Sequence, residues 1–291
     1  MVPRFIPESE LIINSDGTVF HLHIHPDQLT DNIILVGDPA RVNMVAEFFD
    51  TRTWEVSSRE FHSIGGTYNG RPIMCLSHGI GPDNIDIVIT ELDALANVDF
   101  NTRQVRDTHR TLTMVRIGTS GALQPELSLG TPVIAEKAIG FDGVLNYYKD
   151  RNKVADLDFE HAFCKHTDWN PLWAKPYVVD ADPELVARIG GTDMVRGNTI
   201  SAVGFYGPQG RYVRMALANP DLNHSIEEFR YKDRKITNYE MESAPLQGLG
   251  LAMGHKCMTV CSIIANRFNN DANPNYKSGI RDLVATVLDR L

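Results

Sequence analysis

The chain has 291 residues, 43% of them hydrophobic and 22% charged, with a formal charge of −9. This composition suits a globular protein with a sizeable core, and the acidic balance argues against nucleic acid as a partner, because phosphate backbones demand clustered Lys and Arg. No apolar run approaches the ~20 residues that a membrane span needs.

Met1 to Glu10 carries Pro3, Pro7 and two Glu and lacks the apolar core of a secretion signal. Cys75, Cys164, Cys257 and Cys261 contain no CxxC pair and read as reduced core thiols, which points to a cytoplasmic protein. The glycines and prolines are spread without a linker-like block or repeat, so one domain over residues 1–291 is expected.

In chain order, the first notable segment is HLHIH, with His21, His23 and His25. In a strand these three would share a face and offer an HxH ligand pattern. The other histidines, among them His62, His78 and His109, are not set in ligand motifs, so no metal is expected. Ile33 to Val36 reads as a buried strand ending at Gly37. Asp38 then supplies an N-cap, Pro39 a first helical position, and Val42, Val45, Phe48 and Phe49 an apolar face.

Asn69-Gly70 marks a tight hairpin turn before the strand Ile73 to Leu76. Ile85, Val88, Leu92 and Leu95 keep helical spacing. Thr113 to Ile117, Pro132 to Ile139 and Met258 to Ile264 are strand-like. Ile280, Leu283, Val284, Val287 and Leu288 close the chain as an amphipathic helix. Strands alternating with helices make the fold α/β. Asp99 to Thr113 is polar and basic and carries no role legible from its residues.

Several turns carry chemistry. Gly37 to Arg41 (GDPAR) joins a strand to a helix, and a helix N-terminus offers free N–H groups and partial positive charge to an anion. Gly118-Thr119-Ser120-Gly121, with Arg116 alongside, can form a nest of exposed amides. Arg59, in SREF, is a third basic candidate. The loop Gly204 to Arg211 (GFYGPQGR) holds the parts that read a flat imide: Phe205 to stack, Gln209 to donate and accept, and Arg211 to donate to a carbonyl. Asn238 to Ala244 (NYEMESA) bears Glu240 and Glu242 without the spacing of a metal site.

GDPAR, SREF, HGIG, RIGTSGALQ, GFYGPQGR and NYEMES, in this order between about Phe20 and Arg267, resemble the nucleoside phosphorylase family, and within it the uridine phosphorylase branch. The resemblance implies a single-domain α/β fold with a central mixed β-sheet, partly barrel-like, flanked by helices. It implies an enzyme that uses inorganic phosphate to split uridine, or a close pyrimidine relative, into base and ribose 1-phosphate without a cofactor.

By the same resemblance Gly37, Arg41, Arg116 and Thr119 hold phosphate, joined by Arg59 from a neighbouring subunit. His21, beside Phe20, reaches from a neighbour to the ribose 5′-hydroxyl, Met241 packs on the ribose and Glu242 accepts from its hydroxyls. Phe205, Gln209, Arg211 and Ile264 contact the base, with Arg267 acting indirectly. Arg116, Arg211 and Glu242 carry the catalysis. Sites shared between subunits imply a homo-oligomer, dimer or hexamer.

Some residues depart from the family pattern. Pro245 falls where a helix is expected, which is tolerable only in its first turn. Members with a structural potassium ion bind it near the residue matching Glu60, but Gly81-Pro82-Asp83-Asn84 lacks the usual small residues. Purine-cleaving members carry an Asp soon after the last core strand, and Ser262 to Arg267 contains no acid. A purine phosphorylase or a water-using nucleosidase of the same fold is the alternative, and a non-catalytic nucleoside sensor a more distant one.

Overall fold

Aliphatic and β-branched runs buried on both faces form the central strands, and the amphipathic stretches between them form the covering helices. The computed structural model describes residues 4–269 and 271–291, so Met1 to Pro3 of the N-terminal stretch lie outside the described residues. The chain begins with β1 (Asn32–Val36), α1 (Pro39–Ala46), β2 (Thr51–Ser58), β3 (Phe61–Tyr68), β4 (Arg71–Ser77) and α2 (Pro82–Asn97). A small pair follows, β5 (Val98–Asp99) and β6 (Gln104–Val105), then β7 (Thr113–Ala122), β8 (Pro132–Gly140), α3 (Leu157–His166), β9 (Tyr177–Asp180), α4 (Pro183–Ile189) and β10 (Val195–Ser201). The last part holds α5 (Leu222–Glu228), β11 (Arg230–Tyr231), β12 (Arg234–Glu240), α6 (Ser243–Ala252), β13 (Lys256–Asn266), β14 (Asp271–Ala272) and α7 (Lys277–Arg290).

One mixed sheet runs β11-β12-β10-β8-β13-β7-β1-β4-β3-β2, and a further pairing of β12 with β7 closes β7, β13, β8, β10 and β12 into a barrel. The barrel-like centre expected from the family resemblance is therefore present. β4, β1, β7 and β13 are mutually parallel, so their carboxyl ends emerge on one side. The Asn69-Gly70 hairpin is also present: both residues have positive φ (49° and 70°), and Tyr68 pairs with Arg71 across the turn.

Helices α2 and α6 cover one face through Ile85, Val88, Leu92, Leu95, Leu246 and Leu249. The other face is covered by α1, α4 and α7 through Val42, Val45, Leu185, Ile189, Leu283 and Val287. Phe159, Phe163, Ile226 and Phe229 pack a third cluster beneath α3 and α5. Pro245 is the third residue of α6, where its missing N–H has no helical partner to lose.

Three expectations change. HLHIH is not a strand: Val19 N–H donates to the Ile24 carbonyl (3.1 Å) across a turn, and His23 has φ +52°. That backbone breaks the alternation, and His21, His23 and His25 do not share a face. Helix α1 ends at Ala46, before Phe48 and Phe49, although Phe49 is buried and Phe48 packs against the same cluster. Asp99 to Thr113 has a structural role, because its arginines staple other segments. Arg103 Nε donates to the Ile6 carbonyl (2.8 Å), and Arg110 Nε donates to Asp31 (2.7 Å).

Leu92 is fully buried where α2 meets the sheet. Leu92→Ala should lower stability by about 2–5 kcal/mol, measured as a fall in the urea midpoint with the slope m unchanged.

Candidate active site

The parallel register puts Gly37, His78 and the Arg116–Gly118 segment side by side, since Val36 pairs with Ser77 and Leu35 with Arg116. At the first of these turns Asp38 caps α1 by accepting from Ala40 N–H at 2.9 Å, with Pro39 as first helical residue. Gly37 passes close to the Gly79 backbone, and a Cβ there would lie 3.3 Å from the Gly79 carbonyl oxygen, tighter than an ordinary contact. Arg41, one turn in, is buried, and among the described residues its side chain makes a single hydrogen bond, 3.3 Å from Nη1 to the Ile117 carbonyl. Burial first, and then the charge of Arg116, lower its pKa, only partly opposed by Tyr276 and Asp38. Arg41 is thus a desolvated cation whose charge is poorly balanced by the protein.

Arg116 is differently placed. Its Nη1 lies 3.0 Å from Glu240 and 3.5 Å from Cys261 Sγ, its Nη2 donates to Glu242, and its Nε donates to His78 Nε2 at 3.1 Å. Among the described residues four of its five N–H groups face these partners, and one on Nη2 does not. The guanidinium folds back because residue 118 is glycine, where a Cβ would lie 2.6 Å from Arg116 Nη1.

Burial pulls the Arg116 pKa down, but Glu242 and Glu240 outweigh it and hold the group above the ordinary arginine range. Burial raises Glu242, against the pull of Arg116. Glu240 also receives the Glu242 N–H at 2.7 Å and the Ser243 N–H at 3.0 Å, while Gly81 N–H donates to Glu242 at 2.8 Å. Cys261 and His78 were not among the expected site residues, and the family resemblance carries over to Glu240 more weakly than to Glu242. His78 lies in the HGIG motif, but no feature of its spacing marks it as the acceptor for Arg116. Burial and the Arg116 charge push His78 well below its usual pKa. Accepting at Nε2, the neutral ring carries its hydrogen on Nδ1, a buried atom with no partner among the described residues.

The antiparallel pairing of β12 with β7 sets Tyr239 opposite Gly121, and so brings Met241 and Glu242 toward Thr119. On β13 a bulge between Ile263 and Ala265 takes Ile264 out of the ladder, leaving it half-buried beside this group. The loop after β10 is tied to the same place: Asn223 donates to the Gln209 carbonyl (3.1 Å) and accepts from the Tyr239 hydroxyl (3.1 Å). In that loop Arg211 Nη1 donates to Gln209 Oε1 at 2.5 Å, and its guanidinium lies 3.8 Å from the Phe205 ring centroid. Burial, and then the charge of Arg267, push Arg211 down to about 10. Arg267 lies 5.8 Å from the Tyr239 ring.

The chain does not bring every expected residue to this place. Arg59, at a left-handed φ of +54°, lies 5.5 Å from the Phe20 ring, and Phe20 packs edge-on against His21 at 4.8 Å. Among the described residues no hydrogen bond or ion pair joins these three to Arg41, Arg116 or Glu242. A cavity of about 920 Å³, lined by Phe141, Trp169, Trp173, Val203 and Met215 among others, touches the group only at the Tyr206–Arg211 loop. Arg211, Arg214 and Asp142 line it, whereas Arg41, Arg116, Glu240 and Glu242 do not and gather at the strand ends instead.

Asp93, His109 and His255 bring ligand atoms within 4.8 Å of one another. His255 Nδ1, however, accepts from Leu112 N–H (3.1 Å) while Nε2 faces Asp93 (3.1 Å). Its hydrogen is then on Nε2, and no lone pair there is free for a cation.

The chain matches the phosphorylase superfamily over residues 31–287. It is 32% identical to the uridine phosphorylase of Haemophilus influenzae, over 86% of each chain. It is 28% identical to that of Thermococcus kodakarensis, over 93% of this chain and 85% of the relative. The crystal structure of a Trypanosoma brucei nucleoside phosphorylase, described as showing uridine phosphorylase activity, superposes with a TM-score of 0.88 at 25% identity, over 97% of this chain and 99% of that one.

The two arginines should differ in their effect on the fold. Arg116→Met leaves two buried carboxylates uncompensated and should cost about 3–5 kcal/mol. Arg41→Met removes one hydrogen bond and relieves a desolvated charge, and should cost under ~1 kcal/mol. Urea denaturation without added phosphate compares them, and equal losses would refute this division.

Proposed function

The chain belongs to the phosphorylase superfamily, and on that premise we propose that it cleaves uridine with inorganic phosphate to give uracil and ribose 1-phosphate. What supports this reading is an underbalanced Arg41 beside a carboxylate-bound Arg116, together with a Gln209–Arg211 fork on the loop after β10, which Asn223 ties to Tyr239.

Phosphate is assigned to Gly37, Arg41, Thr119 and the remaining N–H of Arg116, with Arg59 of the partner subunit completing the shell. Charge-assisted hydrogen bonds to guanidinium groups suit a small oxyanion. Ribose hydroxyls donate to Glu242, Met241 packs on the sugar, and His21 of the partner subunit meets the 5′-hydroxyl. Phe20, His21 and Arg59 form one cluster apart from their own chain's site, which supports their service to a neighbour and hence a homo-oligomer.

Uracil presents an N–H between two carbonyls. Gln209 accepts from that N–H through the second lone pair of Oε1 and donates through Nε2, while Arg211 donates to the other carbonyl. Phe205 and Ile264 flank the ring, and Arg267 adds charge from behind Tyr239. As the glycosidic bond stretches, negative charge grows on the base and positive charge on the sugar. Arg211 and Gln209 stabilise the first, and phosphate attacks the second. Preorganised charge and positioning suffice, with no protein nucleophile or cofactor.

A purine substrate fits less well. Where an acid would protonate its ring stands Asn266, whose Nδ2 donates to the carbonyls of Gln124 (3.1 Å) and Leu127 (2.8 Å) and whose Oδ1 accepts from Phe268 N–H (2.9 Å). That amide is fully engaged. The four free cysteines support a cytoplasmic setting. Among the described residues no helix is long and apolar enough to cross a membrane.

An ultraviolet assay over uridine, deoxyuridine, thymidine and inosine should show turnover of pyrimidine nucleosides and little of inosine. Arg211→Ala should lower uridine turnover by about 10²–10³ while retaining the thermal transition. Uridine cleavage at the parent rate by that variant would remove the base assignment.

A further inference from the structure

The side chain that presents His21 is itself held by an unusual partner. Glu91 lies on α2, within the protein, at 6% exposure. Its Oε1 accepts from His21 N–H at 3.0 Å and stands 2.6 Å from His21 Nδ1. Its Oε2 accepts from Leu22 N–H at 2.9 Å and again from His21 N–H at 3.1 Å. Among the described residues no Lys or Arg pairs with Glu91. A buried carboxylate is costly unless hydrogen bonds compensate it. A residue that only stapled the Val19–Ile24 turn would need backbone donors alone, yet the shortest of these contacts is to the imidazole.

A carboxylate accepts and does not donate, so the Glu91 contact fixes a hydrogen on His21 Nδ1. Nε2, half-exposed and without a bond to the protein among the described residues, is left facing outward. Leu22 and Ile24 are fully buried and pin the turn on either side. The ring is therefore set in both direction and tautomer. Helix α2 carries a second such duty, since Gly81 N–H before its first turn holds Glu242.

We propose that Glu91 is a positioning residue for the reaction: it locks His21 in the Nδ1–H form, so that Nε2 accepts a hydrogen bond from the 5′-hydroxyl of the nucleoside in the neighbouring subunit. This rests on the ribose role of His21 given above. Glu91→Gln places an amide N–H₂ against donors that the carboxylate satisfied. It releases the ring, so that Nε2 no longer meets that hydroxyl in a fixed direction.

The test compares uridine with 5′-deoxyuridine, which lacks only that hydroxyl, in the parent, His21→Ala and Glu91→Gln. The parent should prefer uridine by about tenfold or more in kcat/KM, the worth of one hydrogen bond to a well-placed acceptor. Both variants should bring the ratio close to one. If His21→Ala keeps the parent's ratio, the ribose reading of His21 fails and this proposal with it. If His21→Ala abolishes the preference while Glu91→Gln keeps it, the positioning role alone is overturned. That role is likewise lost if Glu91→Gln slows both substrates equally, as a damaged fold would. The parent enzyme supplies an independent check, because long-range ¹H–¹⁵N correlations of its histidine rings should show His21 protonated at Nδ1. A ring carrying hydrogen on Nε2 alone would refute the assignment.

Discussion

Two buried carboxylates, Glu240 and Glu242, converge on one guanidinium, Arg116, and most of the site's geometry follows from that pairing. Arg116 comes from β7, Glu240 from the end of β12 and Glu242 from the N-cap of α6, so their attraction ties the end of β12 and the start of α6 to β7. His78 from the end of β4 and Gly81 from the start of α2 join the same cluster through Arg116 and Glu242. None of these ions could stay buried alone. Each satisfies another's charge, and the result is a rigid floor on which Glu242 keeps one direction and Arg116, among the described residues, one unpartnered N–H.

Against that paired cluster stand two arginines that no carboxylate among the described residues pairs with. Arg41 and Arg211 both have lowered pKa values, each first through burial and in part through a neighbouring arginine. Such charges oppose folding and favour an anionic guest. A phosphorolysis carries negative charge at two places, the incoming phosphate and the departing base, and the proposed reading gives one of these arginines to each. Of the three arginines, Arg116 alone is bound by buried carboxylates.

What could be read from the residues alone was whatever local chemistry determines. The β1–α1 turn needed only Gly37, Asp38 and Pro39 to be placed, and the Asn69-Gly70 hairpin needed only its two left-handed residues. The helical spacing of Leu92 and of Leu283 located two buried faces. What stayed hidden depends on long-range pairing. HLHIH alternates like a strand, but its backbone turns at His23 because Glu91, 70 residues away, captures the His21 and Leu22 amides. His78 acquires meaning only when β4 and β7 both flank β1. The arginines of Asp99 to Thr113 looked like a basic patch until their carbonyl partners in the N-terminal segment were in place. Of the site residues named from motifs, Arg41, Arg116 and Glu242 lie together and the Gln209 loop is tied to Tyr239, while Arg59 and His21, expected to serve a neighbouring subunit, lie together elsewhere.

The central claim is that guanidinium groups hold an inorganic oxyanion beside a nucleoside and direct it to the sugar. Phosphorus NMR of enzyme, uridine and inorganic phosphate tests it most directly. The inorganic phosphate signal should decline as a sugar 1-phosphate signal grows, mole for mole with uracil, and cleavage should stop when phosphate is omitted. Free ribose appearing with uracil while the phosphate signal stays constant would contradict it.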